Sequence, residues 1–533
     1  MERNGSNNQQ IESEVTGNSI SKVAQNGQLP LSNLNRREFL HVTALGTAGA
    51  TLSFVPNLFP DNETGSWDPN KPFIVPGKEL KVQPVLMYSI QERKPQSSWK
   101  SWGDIRSENS AVEEVNLITR ELTDLSSRSD FPLKVLPVIK VRTTDEATKI
   151  HDIDYDVVLV YPATGSGRLL RQCFSDKKDT IIFVRHQSGH IYYWYEALST
   201  AYLKTDTEPE SINSNEKKVH VDDVVVDDYD EMLWRLRALY GVKNFIGTRI
   251  VALGGAGGKY SREAPQVAKD NFKMDIVEIS YDAVEKRITG NLANKALISK
   301  AEKLTDNYLA LNNTTLKTDR TFITNAFLLY FLFKELMQEN DATAITINSC
   351  MGTIIPLSKT TACLPLSLLN DEGYLAFCES DFVIIPPSVL LRHISGKPVF
   401  MHNSTFPHKG IITCAHCTGP RRLDGINYEP AEIMTHYESE YGAAPKVAMP
   451  IGQEVSFFNP EYSTNRWLGF RGNVKSNPFY EICRSQQEVE IQGNWEKLKN
   501  EVRDSHWVMV YGNYIKEGKY AARRIGVKWE GIS

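Results

Sequence analysis

The chain has 533 residues, more than one hydrophobic core can organise, so it divides into several domains. Its hydrophobic fraction of 41% and charged fraction of 23% are those of a soluble globular protein. A net charge of -5, without a basic stripe carrying interleaved aromatics, excludes nucleic acid as a partner.

Residues 1–34 are rich in Asn, Gln, Ser and Gly and bury too little apolar surface to fold. The run Asn35-Arg36-Arg37-Glu38-Phe39-Leu40 leads into the weakly apolar Val42–Val55. Paired arginines ahead of such a run read as a twin-arginine export signal, which places the protein in the periplasm or elsewhere outside the cytoplasm. Residues 1–60 are thus leader and signal, and 61–80 a Pro/Gly/Asn linker. The seven cysteines, all after residue 170, are an odd number in no small-domain spacing, so no disulfide framework is expected.

From Val82 the pattern alternates strand and helix, and 81–245 reads as a first α/β domain with a doubly wound parallel sheet. Strands are expected at Val85–Ser89, Leu133–Ile139, Asp156–Val160 and Thr180–Val184, with a helix at Ser110–Leu125. Trp102 and Arg106 fall on the loop after the first strand, where crevices at strand C-termini let side chains touch substrate; packing within the loop is the alternative. The aromatic run Tyr192-Tyr193-Trp194-Tyr195 and the acidic run Asp222–Glu231 read as helix packing and a solvated helix start.

A second doubly wound domain is expected over 246–396. It opens with a strand and the loop Gly254-Gly255-Ala256-Gly257-Gly258, a partial dinucleotide fingerprint with Tyr260 where Gly or Ala is required. Helices follow at Ala283–Lys303 and Arg320–Gln338, the second apolar nearly all round, as a core or subunit-contact helix would be. Residues 397–533 change to short strands with no long helices between them. They read as a mostly antiparallel β domain that closes with a helix over Ile515–Arg524, whose basic residues form a solvated face.

The densest chemistry lies between Cys350 and Gly425: Cys378-Glu379-Ser380-Asp381, the apolar run Phe382–Ile394, His402-Asn403 and Cys414-Ala415-His416-Cys417. Carboxylate and imidazole together suit a hard-to-borderline metal, and a carboxylate in an apolar setting is a good general base. Taken alone, Glu379 to Asp381 also reads as a strand-to-helix turn capped by Asp381. The two thiols of Cys414-x-x-Cys417 lack the second pair of a zinc site and read as packing residues.

The Glu379 run, the Gly396-Lys397-Pro398 helix end and Val399-Phe400-Met401-His402-Asn403 resemble the fucose/arabinose isomerase superfamily, over about 80–530 and most closely over 363–417. The resemblance implies that Glu379 ligates Mn²⁺ and handles substrate protons, that His416 and His506 complete the ligand set, and that the protein is a homo-oligomer acting on a sugar. The family's second carboxylate position is Asn403 here, a departure: its carbonyl oxygen can ligate a cation but cannot act as a base. Asp381 is the candidate partner in catalysis, with Glu372 and a hydroxide as alternatives. Asn403, Trp102 and Arg106 are the candidate substrate contacts. The expected activity is metal-dependent aldose-ketose isomerisation. A sugar-binding protein without catalysis and a nicotinamide-dependent oxidoreductase are the alternatives.

Overall fold

The computed structural model describes residues 66–532 except 76, 193–198, 207–216, 463–465 and 502–503. The twin-arginine run and Tyr193-Trp194-Tyr195 lie outside the described residues.

The first sheet is built from β1 (Leu80–Met87), β2 (Leu133–Val135), β3 (Ile139–Val141), β4 (Val157–Pro162) and β5 (Asp179–Val184). A two-stranded ribbon of β6 (Leu203–Lys204) and β7 (Val219–His220) intervenes before β8 (Val224–Val226) joins the edge. Its order is β2-β1-β4-β5-β8, with β3 also on β1, and every pairing is parallel. β4 is buried at all positions, as expected where both faces of a parallel sheet are covered. The strand expected over Leu133–Ile139 is two strands, because Pro137 between them has no N–H for the ladder. The helix Glu108–Arg128 begins at a capping box in which Ser107 and Ser110 exchange hydrogen bonds.

β9 (Arg249–Leu253) and β10 (Asp275–Ile279) start the second sheet. After β11 (Thr314–Leu316) leaves it, β12 (Ala344–Ile347) and β13 (Leu375–Phe377) complete the parallel order β10-β9-β12-β13. The helix expected over Ala283–Lys303 is two helices, broken where the Asn294 side chain caps Ala296 and Leu297. The apolar helix Arg320–Glu339 is a core helix, its Phe and Leu residues buried among Val251, Leu304 and Leu366.

The rest of the chain supplies β14 (Phe400–Ser404), β15 (Ile411–His416), β16 (Ala431–Met434), β17 (Ala444–Val447), β18 (Glu454–Pro460), β19 (Arg466–Ser476), β20 (Ser485–Gln492), β21 (His506–Tyr511) and β22 (Lys528–Gly531). β16 pairs with β11 and β17 in a small separate sheet. β18-β21-β14-β15-β20-β19 form an antiparallel sheet that closes on itself through β18–β19, giving a barrel to which β22 adds in parallel. Thus the fold is α/β with parallel sheets, followed by a closed antiparallel barrel.

Side-chain alternation divides the barrel strands between two cores. Phe400, Phe457, Phe470, Trp507 and Met509 fill the barrel, whereas Met401, Phe458, Val508 and Val510 belong to the apolar cluster that includes the helix Ile385–Ser395. β19 escapes sequence reading because Gly469 and Gly472 weaken its strand pattern. Both are packing positions: a Cβ at Gly469 would stand 2.0 Å from the Trp529 ring, and one at Gly472 would stand 2.5 Å from Val489. His506 opens β21.

Two charge assignments are corrected. Arg523 and Arg524 in the helix Ile515–Arg524 do not form a solvated face but reach back to Asp222, Asp223 and Asp179 at 2.6–3.2 Å. Asp222 and Asp223 therefore belong to this clamp, and the next helix starts later, capped by Asp228. Among the described residues no helix is long and apolar enough to cross a membrane.

Candidate functional site

β13 ends in a turn in which Glu379 and Ser380 both have positive φ, 64° and 49°. Two consecutive non-glycine residues in the left-handed region are strained and persist only where neighbours hold them. The loop after β9 does so: the Gly257 amide donates to Ser380 O at 3.1 Å, Phe382 N to Gly257 O at 2.9 Å, and Ser380 Oγ to Gly255 O at 2.9 Å. Lys259 N adds a bond to Asp381 Oδ1 at 3.0 Å. Both loops leave the C-terminal edge of the second sheet, the side on which such sheets bind ligands.

Four amides of the glycine loop are already engaged. The amides of Gly254, Gly255 and Gly257 go to the carbonyls of Ile279, Ala252 and Ser380, and that of Ala256 to the Glu278 carboxylate. A phosphate cradle needs free amides and no facing carboxylate, so the loop's evident work is to clamp the Glu379 turn.

The barrel brings two histidines to this turn. Asn403 on β14 is paired with His506 on β21, so the two share a barrel face. His506 Nδ1 lies 2.6 Å from Asp381 Oδ2, and its Nε2 lies 3.3 Å from Glu379 Oε2. His416 ends β15; its Nδ1 meets Thr418 Oγ1 at 2.9 Å, and its Nε2 lies 3.5 Å from Glu379 Oε1. Ligand atoms of Glu379, His416 and His506 all lie within 4.8 Å of one another.

Electrostatics follow from this crowding. Burial alone would raise the Glu379 carboxyl, but hydrogen bonds and positive charge from His416 and His506 outweigh it and hold the group far below the usual range. Burial would lower His506, yet Asp381 and Glu379 push it up to about 9. His402 faces the barrel interior against Phe400 and Phe457, where burial pushes it down to about 3.

The remaining candidates fall differently. Asp381, expected as a catalytic group, is fully buried, with its Oδ2 2.6 Å from His506 Nδ1. Glu372 is bound to Tyr330 at 2.6 Å and Lys334 at 3.4 Å, in a different part of the core. Asn403 Oδ1 is buried without a hydrogen-bond donor. Trp102, 67% exposed, and Arg106, near Asp104 at 3.9 Å, stand on a loop whose Asp104 amide donates to Ile191 O at 3.2 Å; no described hydrogen bond or ion pair joins Arg106 to the cluster. All seven cysteines are free, with Cys363, Cys417 and Cys483 packed together.

Sequence reasoning missed Lys259 and Asp504. Lys259 Nζ lies 3.2 Å from His506 Nε2 and 3.7 Å from Glu379 Oε2. Its only sequence signal is a position just after a glycine loop at a strand's C-terminal end. Asp504, two residues before His506, has a carboxylate oxygen within 4.8 Å of ligand atoms of both His506 and Asp381. No protein-family model matches the chain, and no curated protein matches it.

Proposed function

We propose that the chain is a metal-dependent aldose-ketose isomerase. The carrying observation is that His416 and His506 are each fixed through Nδ1, by Thr418 and Asp381, and turn Nε2 toward the same Glu379 carboxylate. Metal-ligating histidines are held in this way, with the second ring nitrogen engaged by an outer hydroxyl or carboxylate. The donor set fits a divalent cation such as Mn²⁺, and the orphaned Asn403 Oδ1 fits a fourth, neutral oxygen donor. When bound, the cation supplies Lewis-acid polarisation of two neighbouring substrate oxygens.

The chain's own residues divide the remaining work. Glu379, whose side chain is 43% exposed, is the carboxylate of the set that reaches solvent, so it carries the proton between adjacent sugar carbons. Asp381 fixes the His506 tautomer. The Lys259 ammonium presents hydrogen-bond donors beside Glu379 to a substrate oxygen. The reading carries with it two doubly wound domains over 81–245 and 246–396, an exported homo-oligomer, and a neighbouring subunit's cleft as the place where exposed Trp102 and Arg106 meet substrate.

A second reading, a sugar-binding protein on the isomerase scaffold, is favoured by Asn403 standing where a second base would be. Metal analysis of protein purified without chelator, with an isomerisation screen over pentoses, hexoses and 6-deoxyhexoses, separates the two. Stoichiometric Mn²⁺ with turnover supports the isomerase; saturable sugar binding without turnover supports the binder. In the active case Glu379→Gln should lower the rate by more than about 10²-fold, the low end for an acid/base group. A near-normal rate in that variant refutes the assignment.

A further inference from the structure

Lys259 is anchored through its backbone and reaches the cluster through a flexible side chain. Its amide donates to Asp381 Oδ1 at 3.0 Å, which fixes the main chain beside the Glu379 turn. Its side chain is 30% exposed and ends against two of the three groups that a cation would use. Nζ lies 3.2 Å from His506 Nε2 and 3.7 Å from Glu379 Oε2, and those two atoms are 3.3 Å apart. An ammonium has three donors and no acceptor, so it acts on the same imidazole nitrogen and carboxylate oxygen as a metal ion. The contact to Nε2 is a hydrogen bond when the ring carries its single proton on Nδ1, toward Asp381, and that form also ligates a metal.

Ammonium and cation cannot share this position. A cation bonded to His506 Nε2 at roughly 2.0–2.2 Å stands within about 5.5 Å of Nζ where it now lies. Like charges that close in a partly buried site repel strongly. Glu379 and Asp381 bring two carboxylates to the cluster, a match for a divalent ion, and Lys259 offsets one of them. The four-carbon stem is flexible, so the ammonium can swing outward while the backbone bond to Asp381 stays in place.

We infer that the Lys259 ammonium competes with the divalent cation for Glu379 and His506, so that this side chain sets the cation affinity of the cluster and is driven outward when the cation binds. The inference rests on the metal reading of the cluster and adds a control to it. A lysine that merely pairs with Glu379 at the surface, or that only props the turn, has a different signature: its removal leaves cation affinity unchanged or lowers it. Competition alone makes the cluster a better cation site once the lysine is gone.

Calorimetric titration of the full chain with Mn²⁺ tests it in wild type, Lys259→Met and Lys475→Met. Lys475 pairs with Glu490 at 3.5 Å in an exposed part of β19, so its replacement removes the same charge away from the cluster. Lys259→Met is expected to bind Mn²⁺ at least tenfold more tightly than wild type, and Lys475→Met to match wild type. Circular dichroism verifies that both variants are folded. A crystal structure of the wild type with Mn²⁺ should show Lys259 Nζ beyond hydrogen-bond distance of His506 Nε2. Equal or weaker Mn²⁺ binding in Lys259→Met overturns this inference alone and leaves the metal reading standing. An equal gain in Lys475→Met, or an Nζ that stays on Nε2 beside bound Mn²⁺, overturns it as well. No Mn²⁺ binding by either wild type or Lys259→Met is the failure of the metal reading itself, and the inference falls with it.

Discussion

Asp381 is the buried carboxylate behind the candidate cluster. Its Oδ2 faces His506 Nδ1 at 2.6 Å, while Oδ1 accepts from the amides of Lys259 and Val383 at 3.0 and 3.2 Å. Asp381→Asn keeps an oxygen for the two amides but presents an uncharged group to the imidazole. Mn²⁺ affinity should fall about 10–100-fold, the usual effect of losing such a support, with little change in the folded state. A Mn²⁺ titration checks it; unchanged affinity would detach His506 from metal binding. Glu379 and His506 were legible because each sits in a local run of recognisable type. Lys259 was not, since nothing in the sequence says that the loop after β9 folds onto the turn after β13. The nearness of Asp381 to Glu379 was legible, but the direction its side chain takes was not, because that depends on the barrel packed above it.

At the scale of elements, Asp371 joins the helix Cys363–Glu372 to the segment after β15. Its Oδ1 accepts from the backbone amides of Arg421 and Arg422 at 2.6 and 2.8 Å, and burial pushes the carboxyl up to about 7. A raised carboxyl keeps its proton in the folded protein while the unfolded chain has lost it. Stability from this group therefore falls as pH rises from about 4 to about 7 and is flat above. Asp371→Asn lacks that slope, so its stability relative to wild type should improve by about 2–3 kcal/mol between pH 5 and pH 8. Denaturant unfolding of both proteins at the two pH values measures the difference, and a constant difference would show that Asp371 is ionised in the fold. Element positions followed from apolar patterning in most of the chain. They failed where a single residue decides: Pro137 divides a strand, Asn294 divides a helix, and the glycines of β19 are small to admit Trp529 and Val489.

Across the whole molecule, the Arg523–Arg524 clamp ties the C-terminal helix to the far edge of the first sheet. Arg524 meets Asp179 at 2.7 Å and Asp223 at 2.6 Å, and Asp223 is nearly inaccessible to solvent. Removing one partner of a buried pair is costly, and Asp223 would keep only Arg523 at 3.2 Å, so Arg524→Met should cost up to about 3 kcal/mol. Thermal unfolding reads this, and a loss below about 1 kcal/mol, the range of an exposed pair, would mean that solvent reaches the clamp. The clamp was invisible in sequence because its acidic and basic halves are some 300 residues apart.

The cluster is divided between the two architectures: Glu379 comes from the end of a parallel-sheet strand, and His416 and His506 from two strands of the barrel. Neither half holds the set alone. During folding, the sheets can form with Glu379 in place and the barrel can close with both imidazoles in place, and still there is no centre until the two dock. If the proposed metal site is right, occupancy by a cation is a readout of completed assembly, and a ligand that binds the finished centre favours the docked state by mass action over every partly assembled one.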